Sequence, residues 1–587
     1  MLNVKSFFKG FFSSLLALFV FFGLIFLIFF GIVGAILATD TVEVDPKSVL
    51  VLDLGDAYSD RKKNDPLEEL TQDETKPDLY TTLQLINHAK NDTLVKGIYL
   101  KLNSNGNGFA ASQELKKSLS AFKEKGKFIY AFGDYIDQRA YHLASLSDKI
   151  YCHPQGAVEW QGMAVEYVFF KDLIDRLEIK PQIFYAGKFK SATEPFRENK
   201  MTDANKEQTG VWLNDLYDDM IGQVASERKL SQDSLRTWAA SYKVSRPEAA
   251  LKMKLIDGLR YDDEVKEEIR KKLSIGTGEK INFVSIGKYA KAVNLSEKYS
   301  SDKIALVVAE GEIVYGKGTP DDIGSDEYLS LLRKIRTDRS VKAVVLRVNS
   351  PGGSSLASEI IWREIELMKK AGKKVVVSMG NVAASGGYYI SCNAQKIFVE
   401  PGTITGSIGV FSVIPDFSSF MKNKLGVSFD RVKTAEMADG PSVTRPMSDA
   451  EKVIVQQEVD RIYETFKQRV ADGRKLKMAY VDSIAQGRVW TGKRAIKLGL
   501  ADAEGGVKEA IDEVVKMTGL KEYKLKVYPE PKSFLEYITE QYPGDFVSAK
   551  MEKEMGKEEY SVYRKIREMK SATGEIKAML PYTFNIH

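Results

Sequence analysis

The chain has 587 residues, of which 44% are hydrophobic and 28% are charged, a composition typical of a folded protein with more than one domain. Its 85 basic and 80 acidic residues leave a formal charge of only +5, which does not favour a nucleic-acid partner. Two cysteines, Cys152 and Cys392, without a CxxC motif argue against a structural zinc site. We expect buried free thiols, with a disulfide between them as the alternative outside the cytoplasm.

The first predicted element is a long apolar helix. The stretch from Phe11 to Ala38 has 28 residues without a charge, which is enough to cross a bilayer. Lys5 and Lys9 precede it and acidic residues follow it, so the rest of the chain is predicted to lie on the side away from the cytoplasm. A cleaved signal peptide is the alternative, but its apolar core spans only about 7–15 residues. Residues 1–45 are therefore predicted to be a cytoplasmic stub and a transmembrane anchor.

Beyond the anchor, the sequence repeats itself once. The stretch LKLNSNGNG at Leu100 matches LRVNSPGGS at Leu346, and MTDANKEQ at Met201 matches MSDAEKVI at Met447, each pair 246 residues apart. An offset this constant predicts a duplicated domain, with repeats at 46–300 and 301–530. Residues 531–587 match neither repeat, and we expect this charged C-terminal extension to be a solvated helix without chemistry.

Each repeat alternates apolar strands with amphipathic helices, which predicts an α/β fold with parallel sheets and crossover connections. Long helices around 203–230 and 449–474 are expected to close the repeats. The helix after the second strand of each repeat is predicted to bury one apolar face. That face is made of Leu115, Leu119 and Phe122 in the first repeat and of Leu356, Ile360 and Met368 in the second.

Two loops rich in small residues follow buried strands of the second repeat. They are NSPGGS, at 349–354, and the turn in NVAASGGYYIS, at 381–391. Ligands bind at the carboxyl ends of parallel strands, and a serine at a helix start has free backbone N–H groups beside it. Ser385 is therefore a candidate nucleophile, and Gly386 with Gly352 or Gly353 is a candidate oxyanion hole.

The alternative is a purely structural role, in which Ser385 only caps a helix and the glycines only make tight turns. The repeat argues against it. In this stretch the offset is 247 residues, and the first repeat has Gln138 and Arg139 where the second has Ser385 and Gly386. Since the fold forms twice, a purely structural need for these residues would be met in both repeats.

The base is harder to identify from the residues alone. AASGG is not the GxSxG motif of α/β-hydrolases, and the chain has only four histidines, His88, His142, His153 and His587. We expect His142 and His153 to be core or surface imidazoles. A desolvated lysine can replace histidine as the base, but spacing does not choose among the lysines.

The motifs NSPGGS, AASGGYYIS, TGSIGV and FKSATEPF together resemble the signal peptide peptidase A (protease IV) family in its long, duplicated form. These are membrane-anchored serine proteases with a ClpP/crotonase-like fold. The resemblance implies that Ser385 is the nucleophile, that Lys190 of FKSATEPF is the base, and that Ser407 of GSIGV supports the lysine. It also implies leftover signal peptides as substrates, a homotetramer, no metal or other cofactor, and a body on the periplasmic side of a bacterial inner membrane, held to the lipid by the N-terminal helix.

The repeat bears on this assignment independently. Past residue 177 the offset drifts to about 248, so Lys190 falls opposite Ala438, while Ser385 falls opposite Gln138. Each repeat thus holds one member of the pair, and the dyad is predicted to form between them. Lys188 is the nearest competitor, since it would share the face of Lys190 in an extended segment. Whether the pair forms within one chain or between subunits stays open. A crotonase-type acyl-CoA enzyme and a catalytically silent membrane scaffold are the alternative functions.

Overall fold

The computed structural model describes residues 4–37, 43–61, 76–276, 278–293, 295, 300–530 and 575–580. Its N-terminal helix, Val4–Leu37, contains the segment Lys9–Ile28, which is long and apolar enough to cross a membrane. The charged helix predicted around 550–570 and His587 lie outside the described residues.

Twenty strands are described. They are β1 Ser48–Asp53, β2 Val95–Lys101, β3 Phe128–Ile136, β4 Lys149–Val158, β5 Lys180–Ala186, β6 Gly258–Leu259, β7 Phe283–Ser285, β8 Lys303–Glu310, β9 Ile313–Val314, β10 Ile323–Gly324, β11 Val341–Ser350, β12 Gly352–Ser354, β13 Lys374–Ala384, β14 Lys396–Val399, β15 Ile404–Gly406, β16 Val410–Asp416, β17 Val489–Thr491, β18 Ala503–Glu504, β19 Lys524–Tyr528 and β20 Lys577–Met579.

The helices connect and cover these strands. Beyond the N-terminal helix they are Leu79–Asn91, Phe109–Lys123, Gln138–Ala144, Lys171–Arg176, the 3₁₀ turn Ser191–Thr193, Glu194–Arg197, Asp203–Arg228, Gln232–Ala240, Pro247–Lys252, Asp262–Lys272, Ile286–Ala292, Ser325–Thr337, Ser355–Lys370, Gly386–Ser391, Ser418–Leu425, Asp449–Arg474, Met478–Ile484, Gly492–Lys497 and Val507–Thr518.

Each repeat builds a sheet of its own. The first sheet has the order β6-β4-β3-β2-β1-β7, and its neighbouring strands are parallel. The second has the order β17-β15-β13-β11-β8-β19, with β14 beside β13 and β18 beside β14, and is parallel except where β15 meets β17. The predicted α/β fold with two tandem repeats is confirmed.

The duplication extends to helix ends. The helices Asp203–Arg228 and Asp449–Arg474 both have 26 residues. The first begins at a cap in which the side chain of Thr202 accepts a backbone N–H, and Ser448 does the same for the second. Each ends at a lysine in the left-handed conformation, which satisfies the last turn's carbonyls.

A third sheet joins the repeats, in the order β10-β9-β12-β20-β16-β5. Strand β5 of the first repeat runs antiparallel to β16 of the second along its whole length, from Ala186 opposite Val410 to Lys180 opposite Asp416. Because of this pairing, the residues that directly follow β5 lie against the second repeat. Strand β20, from the C-terminal extension, lies between β12 and β16.

A buried ionic group also holds the repeats together. The guanidinium of Arg347, on β11, lies 2.7 Å from a carboxylate oxygen of Asp60 and 2.6 Å from one of Glu114, both in the first repeat. Glu114 also accepts the backbone N–H of Val507 at 2.8 Å. Because all three side chains are buried, removing one partner would leave an uncompensated charge.

The predicted helix faces are partly right. Leu115, Leu119 and Phe122 are fully buried, as predicted. In the second repeat Met368 is fully buried, as predicted, but the other two positions are wrong, because Leu356 is 56% exposed and Ile360 is only half-buried. Besides Met368, the helix Ser355–Lys370 buries Ala357, Ile361, Trp362 and Ile365.

Both cysteines are buried and free. Burial raises the pKa of each thiol to about 12, so both stay protonated at neutral pH. The expectation of free thiols is confirmed, and the alternative of a disulfide between them is wrong.

Candidate active site

Ser385 occupies a strained turn between a strand and a helix. Strand β13 ends at Ala384 and the helix begins at Gly386, which leaves Ser385 with φ 55° and ψ −112°. Non-glycine residues rarely adopt this conformation, which costs on the order of 1–3 kcal/mol. Its backbone N–H donates to the Gly406 carbonyl at 2.8 Å. Its side chain makes no capping hydrogen bond, so the alternative that Ser385 serves as a helix cap is wrong.

Lys190 reaches this serine from the first repeat. It follows β5 and directly precedes the turn Ser191–Thr193, and its side chain is only 1% exposed. Its Nζ lies 3.0 Å from Ser385 Oγ, 3.1 Å from Ser407 Oγ and 3.5 Å from the Ser407 carbonyl oxygen. The structure thus brings together the three side chains that the sequence singled out.

Burial lowers the pKa of Lys190 from 10.5 to about 7. An ammonium without water is destabilised unless a carboxylate compensates it, and desolvation is the cause of this shift. The Phe411 ring, 5.8 Å from Nζ, supplies part of the apolar surroundings. A large fraction of the amine is therefore neutral at neutral pH. Lys188, its rival in the sequence, is exposed and rests on the Phe189 ring.

The segment that carries Lys190 is fixed by contacts on both sides. Phe189 donates its N–H to the Gln486 carbonyl at 2.7 Å, and its own carbonyl accepts from Gln208 at 3.0 Å. Gly487 lets the two segments approach, because a Cβ there would lie 2.7 Å from Lys190 Cβ and the backbone has φ +72°. Sequence reasoning missed Gly487, since one glycine in a turn has no distinguishing pattern.

Glu194, the acidic residue of FKSATEPF, has a structural role. Glu194 is buried and accepts hydrogen bonds from the Thr202 hydroxyl at 2.6 Å and the Asn205 amide at 2.9 Å. These bonds tie the segment to the start of the helix Asp203–Arg228. They help to hold Lys190 in one position.

The candidate oxyanion glycines meet beside Ser385. A Cβ on Gly352 would lie 2.7 Å from the Gly386 nitrogen, so the NSPGGS loop and the helix start touch at a point where no side chain fits. The N–H of Gly352 donates to Ser350 Oγ at 3.2 Å. Gly353, which pairs with Ile313 and Ala578, and Gly386, at the first position of its helix, stay candidate donors.

Histidines are engaged elsewhere. His142 is buried, and its Nε2 lies 3.0 Å from Gln223 Oε1. Burial, with the charge of Lys116 nearby, lowers its pKa to about 3, so it is a neutral core imidazole, as expected. The His153 ring lies edge-on to Tyr261.

Comparison with known proteins now adds to this geometry. The sequence profile of Peptidase family S49 matches residues 121–276 and 368–521, one segment in each repeat. The first segment includes Lys190, and the second includes Ser385 and Ser407. This chain belongs to peptidase family S49.

Relatives of this S49 peptidase are similar over most of its length. A protein of Haemophilus influenzae named Protease 4 is 38% identical over 73% of this chain and 71% of its own. A Protease 4 of Salmonella typhi is 35% identical over 79% and 76%. A protein of Enterococcus faecium whose name includes "signal peptide peptidase SppA" is 35% identical, but over only 38% of this chain and 65% of its own.

Among solved structures, a mutant of ClpP1 from Listeria monocytogenes is 16% identical and covers 35% of this chain and 94% of its own, with a TM-score of 0.24. The family match identifies the chain as a serine protease that acts on peptides. Ser385, Lys190 and Gly386 bring a hydroxyl, a buried amine and the first backbone N–H of a helix close together.

Sequence reasoning missed one segment that lies beside the candidate site. Residues 575–580, from the extension predicted to have no chemistry, pair with Gly352–Ser354 through β20. Six residues within a longer charged extension give too weak a pattern to predict a strand. Their position next to Ser385 could be found only from the three-dimensional structure.

Proposed function

We propose that this S49 serine protease cleaves peptides with a Ser385/Lys190 dyad formed between its two repeats. The observation that carries the proposal is the 3.0 Å distance from Lys190 Nζ to Ser385 Oγ in a buried setting. Because the contact forms within one chain, it supports a dyad that needs no second subunit. Neutral Lys190 accepts the proton of the Ser385 hydroxyl as Oγ attacks the peptide carbonyl.

The negative charge that develops on the carbonyl oxygen is stabilised by the backbone N–H groups of Gly386 and Gly353. The Lys190 ammonium then gives its proton to the leaving amine, and the C–N bond breaks to leave an acyl-enzyme on Ser385. Water, deprotonated by the same lysine, hydrolyses the ester and restores the serine. Ser407, 3.1 Å from Nζ, orients the amine through its hydroxyl.

The substrates that fit best are apolar peptides released in a membrane, such as cleaved signal peptides. The N-terminal helix, long enough to cross a bilayer, supports a single-pass anchor that keeps the site close to such peptides. The positive residues before it and acidic residues after it support a periplasmic body at a bacterial inner membrane. A homotetramer remains part of the proposal, as does the division into domains at 46–300 and 301–530.

The test is turnover of an apolar, signal-peptide-like fluorogenic peptide by the full chain in detergent micelles. We expect Ser385→Ala and Lys190→Met to lose activity by roughly three orders of magnitude or more, because each removes a participant in bond breaking. Lys188→Met is the matched control and keeps parental activity.

Three outcomes would contradict the proposal. Equal loss in the two lysine variants would remove the assignment of Lys190. The membrane scaffold would be favoured if the folded parent cleaved none of the peptides and the Ser385→Ala variant still bound the same partners as the parent. Turnover of a CoA thioester, instead of peptides, would favour the crotonase-type enzyme.

A further inference from the structure

The segment Glu575–Leu580 lies between strands β12 and β16 and next to Gly386, in a place that we call the cleft. It is bound there through its backbone. Strand β20 is antiparallel to β12 on one side and to β16 on the other. Beyond the strand, Leu580 donates its N–H to the Pro351 carbonyl at 2.7 Å. The Ile576 carbonyl accepts from both the N–H and the hydroxyl of Ser355, at 3.2 Å and 2.8 Å. An extended peptide added to a strand edge is a general mode of peptide recognition.

The register of this segment places its Ala578–Met579 peptide bond beside the candidate oxyanion glycines. Met579 lies opposite Gly352, and Ala578 lies opposite Gly353. The carbonyl oxygen of Ala578 is so close to the glycines that a Cβ on Gly352 would overlap it and a Cβ on Gly386 would lie 3.1 Å away. The carbonyl oxygen of Ala578 therefore lies beside Gly352 and Gly386, and the bond from this carbonyl to Met579 is the peptide bond of the segment nearest to them.

Side chains of the segment fill specific places in the cleft. Ala578 is completely buried, so the position before that bond takes a small residue. Leu580 is also buried, in a cluster with Trp212, Leu216, Ile404 and Val489. Lys577 Nζ lies 2.8 Å from Glu312 Oε1, and both side chains are largely shielded from water. The cleft thus contacts an apolar, a small and a basic side chain of its own C-terminal extension.

We infer that Glu575–Leu580 is a built-in ligand of the peptide-binding cleft, bound as a substrate binds, and that added peptides must displace it. The inference rests on the proposed function for the identity of the cleft. Competition within one chain leaves kcat unchanged and raises KM, because the cleft is open for only a fraction of the time. If the strand occupies the cleft for four-fifths of the time, the apparent affinity for a peptide falls about fivefold.

Lys577 offers the sharpest test, because its ion pair can be reversed by one substitution. In Lys577→Glu two carboxylates would face each other in place of the pair with Glu312, which destabilises the bound strand. Lys577→Arg is the matched control, since it keeps the positive charge. We expect Lys577→Glu to lower KM for the fluorogenic peptide about fivefold at unchanged kcat, and Lys577→Arg to behave as the parent. Intact mass before and after each assay checks that the segment is still attached.

A binding measurement separates this inference from the proposed proteolysis. A fluorescent peptide with the sequence EIKAML is titrated into Ser385→Ala and into Ser385→Ala/Lys577→Glu, and its polarisation is followed. Tighter binding to the double variant supports the inference even if no variant cleaves peptides. Equal binding to both, with equal melting temperatures, would overturn it, and so would an unchanged KM for Lys577→Glu in an active enzyme.

Discussion

The amine of Lys190 and the hydroxyl of Ser385 lie 3.0 Å apart, although 195 residues separate them in the chain. The contact depends on the antiparallel pairing of β5 with β16, which brings the end of a first-repeat strand into the second repeat. Neither repeat could form it alone. The chemistry expected from this pair, and the packing that holds it, lead to five predictions.

The activity should follow the ionisation of Lys190. Burial lowers its pKa to about 7, and only the neutral amine can accept the serine proton. We expect kcat/KM to fall about tenfold per pH unit below that value and to level off above it. The measurement is a pH profile with a peptide that has no ionisable groups. A profile that rises only near pH 10, the usual range of a solvated lysine, would contradict this prediction.

The same pKa shift affects stability. Between about pH 7 and 10.5 the unfolded chain holds a proton on Lys190 that the folded chain lacks, so the free energy of unfolding rises with pH in this window. Lys190→Met removes the destabilising cost of burying this amine, and with it this pH dependence of the free energy of unfolding. We expect the melting temperature of the variant to exceed that of the parent at pH 7 and the difference to shrink toward pH 10. A difference that does not change with pH would show that the lysine is not desolvated.

Ser407 should act through Lys190 and not through the peptide. Its Oγ lies 3.1 Å from Nζ, so Ser407→Ala frees the amine to adopt other positions. We expect kcat to fall about 10- to 100-fold with KM unchanged, consistent with a lost hydrogen bond of about 1.5–3 kcal/mol to a charged or reacting group. Ser407→Thr, which keeps a hydroxyl, is the conservative variant for rescue. A change confined to KM would assign Ser407 to peptide binding instead.

Gly487 should be needed for activity, because its segment and the segment that carries Lys190 approach each other closely at this residue. Gly487→Ala places a Cβ 2.7 Å from Lys190 Cβ at a residue with φ +72°. Gly519 has nearly the same backbone, φ +68°, but a Cβ there would meet nothing within 4 Å. Both substitutions add the strain of a left-handed alanine, about 1–2 kcal/mol. Only Gly487→Ala should therefore lower kcat strongly. Equal kcat in the two variants would mean that the Lys190 segment can move aside.

Arg347 should stabilise the contact between the repeats. Arg347→Met leaves the carboxylates of Asp60 and Glu114 buried without their partner, so the free energy of unfolding should fall by about 3–5 kcal/mol. Arg363, which pairs with Glu366 at the surface, is the control, and Arg363→Met should cost less than about 1 kcal/mol. Denaturant unfolding measures both. Similar losses in the two variants would mean that the buried group adds nothing beyond a surface pair.

The two repeats and the candidate site could be predicted from the sequence, because the duplication allows the two halves of the chain to be compared residue by residue. A constant offset aligned the repeats, and the positions where they differ, such as Gln138 against Ser385, pointed to residues that the fold itself does not need. The resemblance of FKSATEPF then selected Lys190, which spacing alone could not do. Burial separates Lys190 from Lys188, which directly precedes that motif, since Lys190 is enclosed and Lys188 is exposed.

Other features depend on contacts between distant segments and leave no local pattern. The row of helix Ser355–Lys370 that faces the sheet includes Ala357, a small residue with weak hydrophobic signal, while Leu356 beside it points to water. Gly487 matters only because Lys190 comes to lie against it. The strand at 577–579 is too short to be recognised, and its partner β12 precedes it by more than 200 residues.

The division of the dyad has a consequence during protein synthesis. A ribosome that adds about 5–20 residues per second makes Lys190 roughly 10–40 seconds before Ser385. The nascent chain therefore holds the proposed base without the proposed nucleophile until the second repeat emerges. The residues that lie in the cleft are made later still, after both members of the pair. An enzyme whose parts arrive in this order has no complete dyad while its own chain is still unfolded and most easily cut.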